Sequence, residues 1–454
     1  MKTALVSSKE IADHRFRFEG NHYLNHYAYL SLQIERRKDK CAKLEDVATC
    51  FNPPVFKRQF CQDTENAVQY FQSSDVPSLE EKSKVFIYKG QAESLKLLVH
   101  KNDILVTGFG TIGNTRLVSR HQDGMCYANN VCRIQATGMS AGLIYAFMSS
   151  KYGAAQLNSN ASGSVVRYIE APGIKRTLIP LFSDIFQKEV DDLMQESARL
   201  REEAVDALEE AKGLIMDFCQ EEYATTRLKR FVSVKIKGVR STLNTRFDPT
   251  IYINKGVQWV KSIQKQSTRL GDLNVKMWYP GIFKRAYVEN GLPYLKGSSV
   301  FDVNPFKTCD HLSKARTPKL DDLWLKEGML LITCAGACGL VKMITKEYED
   351  KGAIGSPDII RLVSNDTLFT TEYIFAYLQL PPIYDYMQSL KYGSVIERFD
   401  IENIKTIPIV RPTEELSQAV TDIVKSYMAK TYRAFNCEEQ AISMVEREIE
   451  RWNK

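Results

Sequence analysis

Residues Gly108-Phe109-Gly110-Thr111-Ile112-Gly113 form a literal G-x-G-x-x-G directly after the strand-like run Asp103-Ile104-Leu105-Val106-Thr107. Glycines so spaced can cradle a dinucleotide or S-adenosylmethionine, provided a helix opens behind them and turns its N-terminal N–H groups toward phosphate. The next residues, Asn114-Thr115-Arg116-Leu117-Val118-Ser119, are a β-like stretch instead. Gly110 and Gly113 are therefore expected to shape a turn between two strands. Asn52-Pro53-Pro54-Val55 has the outline of the loop with which amino-methyltransferases hold a target base, but Val55 replaces the aromatic residue. It reads as a rigid turn before a strand. Pro357-Asp358 opens like a nuclease metal motif, yet no E-x-K or D-x-K comes after it at a usable distance. The six histidines form no H-E-x-x-H, and no Walker loop or G-x-S-x-G occurs. The ten cysteines lack any C-x-x-C pair and read as reduced thiols rather than zinc ligands. No catalytic set, metal site or cofactor site is expected.

The elements that position these stretches occur twice. Arg17-Phe18-Glu19-Gly20 with Tyr23 answers to Arg246-Phe247-Asp248-Pro249 with Tyr252, at an offset of 229. Pro54-Val55-Phe56-Lys57-Arg58 answers to Gly281-Ile282-Phe283-Lys284-Arg285, and Tyr70-Phe71-Gln72-Ser73-Ser74 to Tyr294-Leu295-Lys296-Gly297-Ser298. Tyr145-Ala146-Phe147 answers to Phe375-Ala376-Tyr377, and Gly163-Ser164-Val165 to Gly393-Ser394-Val395, both at an offset of 230. The order is collinear, so the chain is two copies of one unit. The second copy of Gly108 to Gly113 is Cys334-Ala335-Gly336-Ala337-Cys338-Gly339, without the first glycine and again leading into a strand-like run.

Each copy begins with short β-like runs between turn residues and ends in a long helix. The first helix is expected over 183–218, with a seam at Phe186, Val190, Leu193, Leu200, Ala204, Ala207, Ala211, Leu214 and Phe218 and with Ser197 as its polar exception. The second is expected over 413–452, with Leu416, Val420, Ile423, Tyr427, Ala434, Cys437, Ala441 and Met444. The fold class is α+β: two tandem mixed α/β domains, each followed by a long helix, the helices forming an antiparallel coiled coil with pseudo-two-fold symmetry. The expected boundaries are 1–182, 183–226, 227–411 and 412–454.

The chain has 454 residues, 44% hydrophobic and 26% charged, with a formal net charge of +6. That balance suits a globular protein and permits an acidic partner without requiring one. The start, MKTALVSSKEIADH, lacks the apolar core of a signal peptide, and the longest apolar run, 329–341, is broken by glycines. A cytoplasmic protein without a membrane partner is expected.

The duplication, the openings Leu44-Glu45-Asp46-Val47 and Leu270-Gly271-Asp272-Leu273, and the strand-then-G-x-x-G segments resemble the specificity (S) subunit of Type I restriction-modification systems, the HsdS family. The closes carry the resemblance furthest: Ile174-Lys175-Arg176-Thr177-Leu178-Ile179-Pro180 and Ile404-Lys405-Thr406-Ile407-Pro408-Ile409 each lead into a helix. The resemblance implies two target recognition domains, each reading one half of a bipartite double-stranded DNA site. It implies docking of two N6-adenine methyltransferase (M) subunits and, through them, restriction/translocase (R) subunits. The subunit itself would have no chemistry. About forty residues precede the first opening, mirrored by 230–269, which leaves open another Type I-like phage-defence methylation system. The remaining alternatives are an S-adenosylmethionine-dependent methyltransferase using Gly108 to Gly113 and a coiled-coil scaffold that binds only proteins.

On that reading, the basic pairs Lys57-Arg58 and Lys284-Arg285 are candidate phosphate contacts because they recur at matched positions. Arg227, Lys229, Arg230, Lys235, Lys237 and Arg240 form a basic linker after the first helix. Polar residues that differ between the copies are candidate DNA-reading groups: Ser73, Ser74 and Asp75 against Lys296, Ser298 and Ser299, and Asn129-Asn130 against Pro357-Asp358. Asparagine can pair bidentately with adenine, and a carboxylate can accept from cytosine.

Overall fold

Both copies build a four-stranded antiparallel sheet in the same strand order and a smaller sheet, of four strands in the first copy and three in the second. The computed structural model describes residues 6–13, 26–62, 64–79, 83–163, 167–220, 223, 231–240, 246–297, 299–393 and 397–452. Ser298, the linker residues 227–230, and the repeat positions around Arg17, Tyr23, Ser164, Val165, Ser394 and Val395 lie outside them. The chain divides into two compact units, residues 1–202 with 433–454, and residues 203–432.

In the first unit a four-stranded antiparallel sheet runs in the order Ala48–Phe51, Val131–Ala136, Ile104–Thr107, Thr115–Leu117. Its strand Ile104–Thr107 is buried at every position. Ile104 and Val106 pack with the helix Ala141–Ser149, while Leu105 faces Phe71, Val76 and Tyr127 on the other side. Burial on both faces is why this strand reads as an unbroken apolar run instead of an alternation. A smaller sheet takes Phe60–Cys61, Phe86–Tyr88 and Ala67–Phe71, with Cys126–Tyr127 joining parallel to the last.

The second unit repeats the plan. Its four strands are Val275–Trp278, Ile359–Ser364, Leu330–Thr333 and Val341–Met343, in the same spatial order. Leu330 and Ile332 face one core and Leu331 another. Its smaller sheet has Asp310–Leu312 and Tyr287–Leu295, with Ile354–Gly355 parallel to the latter.

The opening and closing motifs meet in each unit. Cys41–Lys43 pairs antiparallel with Leu178–Pro180, and Leu44 N–H donates to Thr177 O at 2.8 Å. Ser267–Arg269 pairs with Pro408–Val410, and Leu270 N–H donates to Ile407 O at 2.9 Å. The ladder closes the domain on itself and sends the chain into the helix.

The helices run unbroken from Asp184 to Cys219 and from Glu414 to Trp452. Within the first unit they pack antiparallel: Phe182, just before the first helix, meets Trp452 with ring centroids 5.6 Å apart, and Ser197 Oγ donates to Ala434 O at 2.7 Å. The expected seam holds at Val190, Ser197, Leu200, Ala204, Ala207, Ala211, Val420, Ala434 and Ala441, all buried. At seven other positions it is displaced by one residue, and Phe186 and Leu416 are half-buried. Met194, Ile215, Cys219, Val424, Met428, Glu438 and Val445 are buried where Leu193, Leu214, Phe218, Ile423, Tyr427, Cys437 and Met444 were expected, and those are only half-buried. A strict heptad drifts by about 20° per repeat on a straight helix, so the outer turns bury rows four residues apart instead. Among the described residues no helix is long and apolar enough to cross a membrane.

Candidate nucleic-acid interface

The G-x-G-x-x-G and its second copy at 334–339 are both hairpin turns. Ile104–Thr107 and Thr115–Leu117 are its antiparallel arms. Gly110 and Gly113 hold φ of +76° and +86°, and Gly336 and Gly339 hold +73° and +82°, a region that glycine enters without steric cost. The threonine before each turn braces it. Thr107 Oγ1 donates to Thr111 O at 2.6 Å and accepts from Asn114 N–H at 3.0 Å. Thr333 Oγ1 does the same with Ala337 O and Leu340 N–H. The first glycine has a local cause: a Cβ on Gly108 would lie 2.4 Å from Ile169 O. Asn52 is structural as well. Its amide donates to Asn129 O at 3.2 Å and accepts from Ala171 N–H at 2.8 Å, so it anchors two loops.

Three loops converge around the smaller sheet of each unit: 53–59, 72–76 and 128–130 in the first, and 280–285, 296–300 and 356–358 in the second. Buried cations hold two of the three from beneath. Arg133 is fully buried and donates to the carbonyls of Ala128 (2.9 Å), Leu97 (2.9 Å), Tyr127 (2.6 Å) and Val131. Arg361 is its counterpart, donating to Ser356 O (2.9 Å), Gly355 O (2.8 Å) and Ile359 O. Among the described residues neither forms a salt bridge. Burial pulls each guanidinium down to about 10, so both stay charged at neutral pH. Under the other loop, Arg116 donates to Val76 O, Ser78 O and Gln122 Oε1. Its counterpart Lys342 donates to Val300 O at 2.8 Å, and burial lowers its ammonium to about 8. A fixed positive charge aimed at loop carbonyls holds the main chain while leaving the outward side chains open to vary.

The basic pairs have a shared seat. Arg58 Nε donates to the hydroxyl of the buried Tyr70 at 2.8 Å, and Arg285 Nε to that of Tyr294 at 2.7 Å. Each guanidinium also lies near the ring, 5.6 and 5.7 Å from the centroid. Lys57 and Lys284 are exposed beside them. Among the described residues the terminal nitrogens of Arg58 and Arg285 take no other hydrogen bond.

The polar candidates divide. Ser73 and Asn130 come together, with Asn130 Nδ2 donating to Ser73 Oγ at 3.3 Å, while Asn130 Oδ1 is buried without a partner. Asp75 and Ser299 occupy one role: Asp75 Oδ2 accepts from Gln72 N–H at 2.7 Å, and Ser299 Oγ from Lys296 N–H at 3.0 Å. Both cap their own loop, and Ser74 Oγ donates to Asp75 Oδ1 at 3.3 Å. Lys296 Nζ is paired with Asp310 at 2.6 Å. Asp358 is exposed and accepts from Ser356 Oγ at 3.2 Å. Asn129 is half-buried, and Asn52 holds its carbonyl. Sequence reasoning passed over Arg116, Arg133, Lys342, Arg361, Tyr70 and Tyr294 as anchors. The signal was present, since each recurs in the other copy as a cation or a tyrosine at the collinear position.

Among the described residues no group of three or more His, Cys, Asp or Glu side chains could hold a metal ion. The ten cysteines are free thiols. No protein-family model matches the chain, and no curated protein matches it. Among solved structures, the Type I restriction-modification S subunit from M. genitalium is 12% identical, with 90% of this chain and 94% of that one aligned at a TM-score of 0.34. The HsdS subunit from Thermoanaerobacter tengcongensis is 15% identical over 90% and 95%, at a TM-score of 0.27. The type IIG restriction endonuclease BpuSI is 9% identical over 41% of this chain and 30% of its own, at a TM-score of 0.30.

Proposed function

We propose that the chain is the DNA-reading specificity subunit of a Type I or Type I-like methylation system and has no chemistry of its own. The parts 1–182 and 227–411 each read one half of a bipartite duplex target. The helical parts 183–226 and 412–454 serve as spacer, and the subunit docks two N6-adenine methyltransferase subunits and, through them, restriction/translocase subunits. One observation carries this: two copies of one scaffold hold matched loops on buried cations at matched positions, yet put different polar side chains at the tips. A scaffold that bound two identical partners would need identical tips. Two different half-sites need different ones, beside cations that meet phosphate on any sequence.

The test is a loop exchange. Residues 128–130 (Ala-Asn-Asn) are replaced by Ser-Pro-Asp, the sequence at 356–358, and the methylated motif of the host genome is read by long-read sequencing. The expected result is a changed or relaxed base preference in one half of the motif, with the other half untouched. Loss of methylation at an unchanged motif would mean that the loop does not read sequence.

A further inference from the structure

Each unit presents a nearly fully exposed aliphatic side chain at the same place in its fold. Val55 is 90% exposed and Ile282 is 91% exposed. Singly exposed aliphatics are ordinary. These two stand at collinear positions, in Pro54-Val55-Phe56-Lys57-Arg58 and Gly281-Ile282-Phe283-Lys284-Arg285. Both are β-branched, so their shape is stiff at χ1.

The loop beneath each tip is fixed. Phe56, next to Val55, packs against the cluster of Tyr70, Ile87 and Cys126, and Phe283, next to Ile282, against that of Tyr294, Leu312 and Ile354. Three residues beyond each tip an arginine is hydrogen-bonded to a buried tyrosine. In the first unit Gln91 adds a clamp, accepting from Gln59 N–H at 3.1 Å and donating to Lys57 O at 2.9 Å. A pre-ordered aliphatic tip beside two cations calls for an anionic surface with small apolar spots. A protein interface fits less well, because its buried centre is depleted in lysine. The major groove fits well: phosphates line its edges, and the thymine C5-methyl is the apolar group that its base pairs display. Resting on the DNA-reading function proposed above, we propose that Val55 and Ile282 are apolar base contacts, each meeting a thymine methyl in its own half-site.

The probe is a library of duplexes randomised over 30 positions. It is captured by the tagged full chain, purified from its host with the subunits that accompany it, and the bound pool is sequenced. Wild type is expected to enrich a bipartite motif with a thymine in each half. Val55→Ala should relax the preference at one thymine only, and Ile282→Ala at the other only. Replacing the first thymine by deoxyuridine removes one methyl group, and should weaken wild-type binding about four-fold, the effect of one buried methyl. It should leave Val55→Ala binding unchanged. Both side chains are exposed, so neither truncation should disturb folding. Equal weakening on all duplexes with an unchanged motif would overturn the base contact. Loss of accompanying subunits with the motif intact would overturn it in favour of a protein contact. A wild-type pool without any motif would overturn the DNA-reading function itself, and this proposal with it.

Discussion

The two units agree beneath their loops and differ along their helices. In the first unit a polar cluster joins domain to helix beside the apolar contacts of Val190, Met194, Ala441 and Val445. Tyr145 donates to Glu438 Oε1 at 2.8 Å, and Arg201 is ion-paired to the same buried carboxylate. The collinear positions in the second unit are Phe375, Leu208 and Thr431. There Phe375 packs on Tyr427 with ring centroids 5.6 Å apart. A second contact differs in the same way. Glu202 pairs with Lys101 and Arg120 in the first unit, while Tyr432 donates to Asp350 at 2.8 Å and lies under Lys346 in the second. At these matched positions the duplicated halves therefore join domain to helix by different chemistry, while a cation stays in place under each loop. The loop supports are the constrained part of the design.

The largest expected effect comes from those supports. Arg361→Met strips the donor from three buried carbonyls, and Arg133→Met from four. An unsatisfied buried acceptor costs roughly 1–3 kcal/mol, so each variant should lose about 4 kcal/mol after local relaxation. Lysine should not rescue either position, because a single ammonium cannot match a planar fork aimed at several carbonyls. Urea unfolding measures this. A loss below about 1 kcal/mol in either unit would show that the loops stand without the guanidinium.

These anchors were hard to read in the sequence for a physical reason. Arg133 and Arg361 sit in Val131-Cys132-Arg133-Ile134 and Ile359-Ile360-Arg361-Leu362, where one cation in an apolar run looks like the solvent side of a strand. Only its recurrence at the collinear position marks it. The turn at Gly110 was legible because its second copy lacks the first glycine and both copies continue as strands. The long helices were legible from their length and seam, but the seam's outer positions were not. A heptad template cannot register which turns also pack against a domain. Parallel pairing of Cys126–Tyr127 with Ala67–Phe71 joins residues more than fifty positions apart and leaves no local pattern.

The next effect separates the two helix contacts. Glu438→Ala removes the buried carboxylate shared by Arg201 and the buried Tyr145, and should cost about 3 kcal/mol. The triple exchange Tyr145→Phe, Arg201→Thr and Glu438→Leu gives the first unit the side chains of the second. It should be neutral or stabilising by about 1 kcal/mol, as replacement of a whole buried ion pair by apolar groups often is. Thermal unfolding of the single and triple variants decides. A triple variant as unstable as Glu438→Ala would mean that the polar cluster is required by the surrounding backbone of the first unit.

The smallest effect distinguishes the cations under loops 72–76 and 296–300. Arg116 remains charged throughout the accessible range. Lys342 does not: burial draws its ammonium down to about 8, opposed by the carboxylates of Glu347 and Asp302. An unfolded lysine holds its proton to about 10.4. Below pH 8 both states are protonated, and the penalty for burying the charge is constant. Between about 8 and 10.4 the unfolded chain binds more protons than the folded one, so this lysine makes stability rise with pH. Buried thiols act in the opposite direction, since burial raises Cys126 to about 12 and Cys334 to about 11. The informative quantity is therefore the difference between wild type and Lys342→Met across the window. Wild type should gain on the variant by roughly 1–3 kcal/mol from pH 8 to pH 10, and Arg116→Met should show no such slope against wild type. Parallel curves for wild type and Lys342→Met would mean that the ammonium keeps its proton in the fold, making its loop support equivalent to that of the first unit.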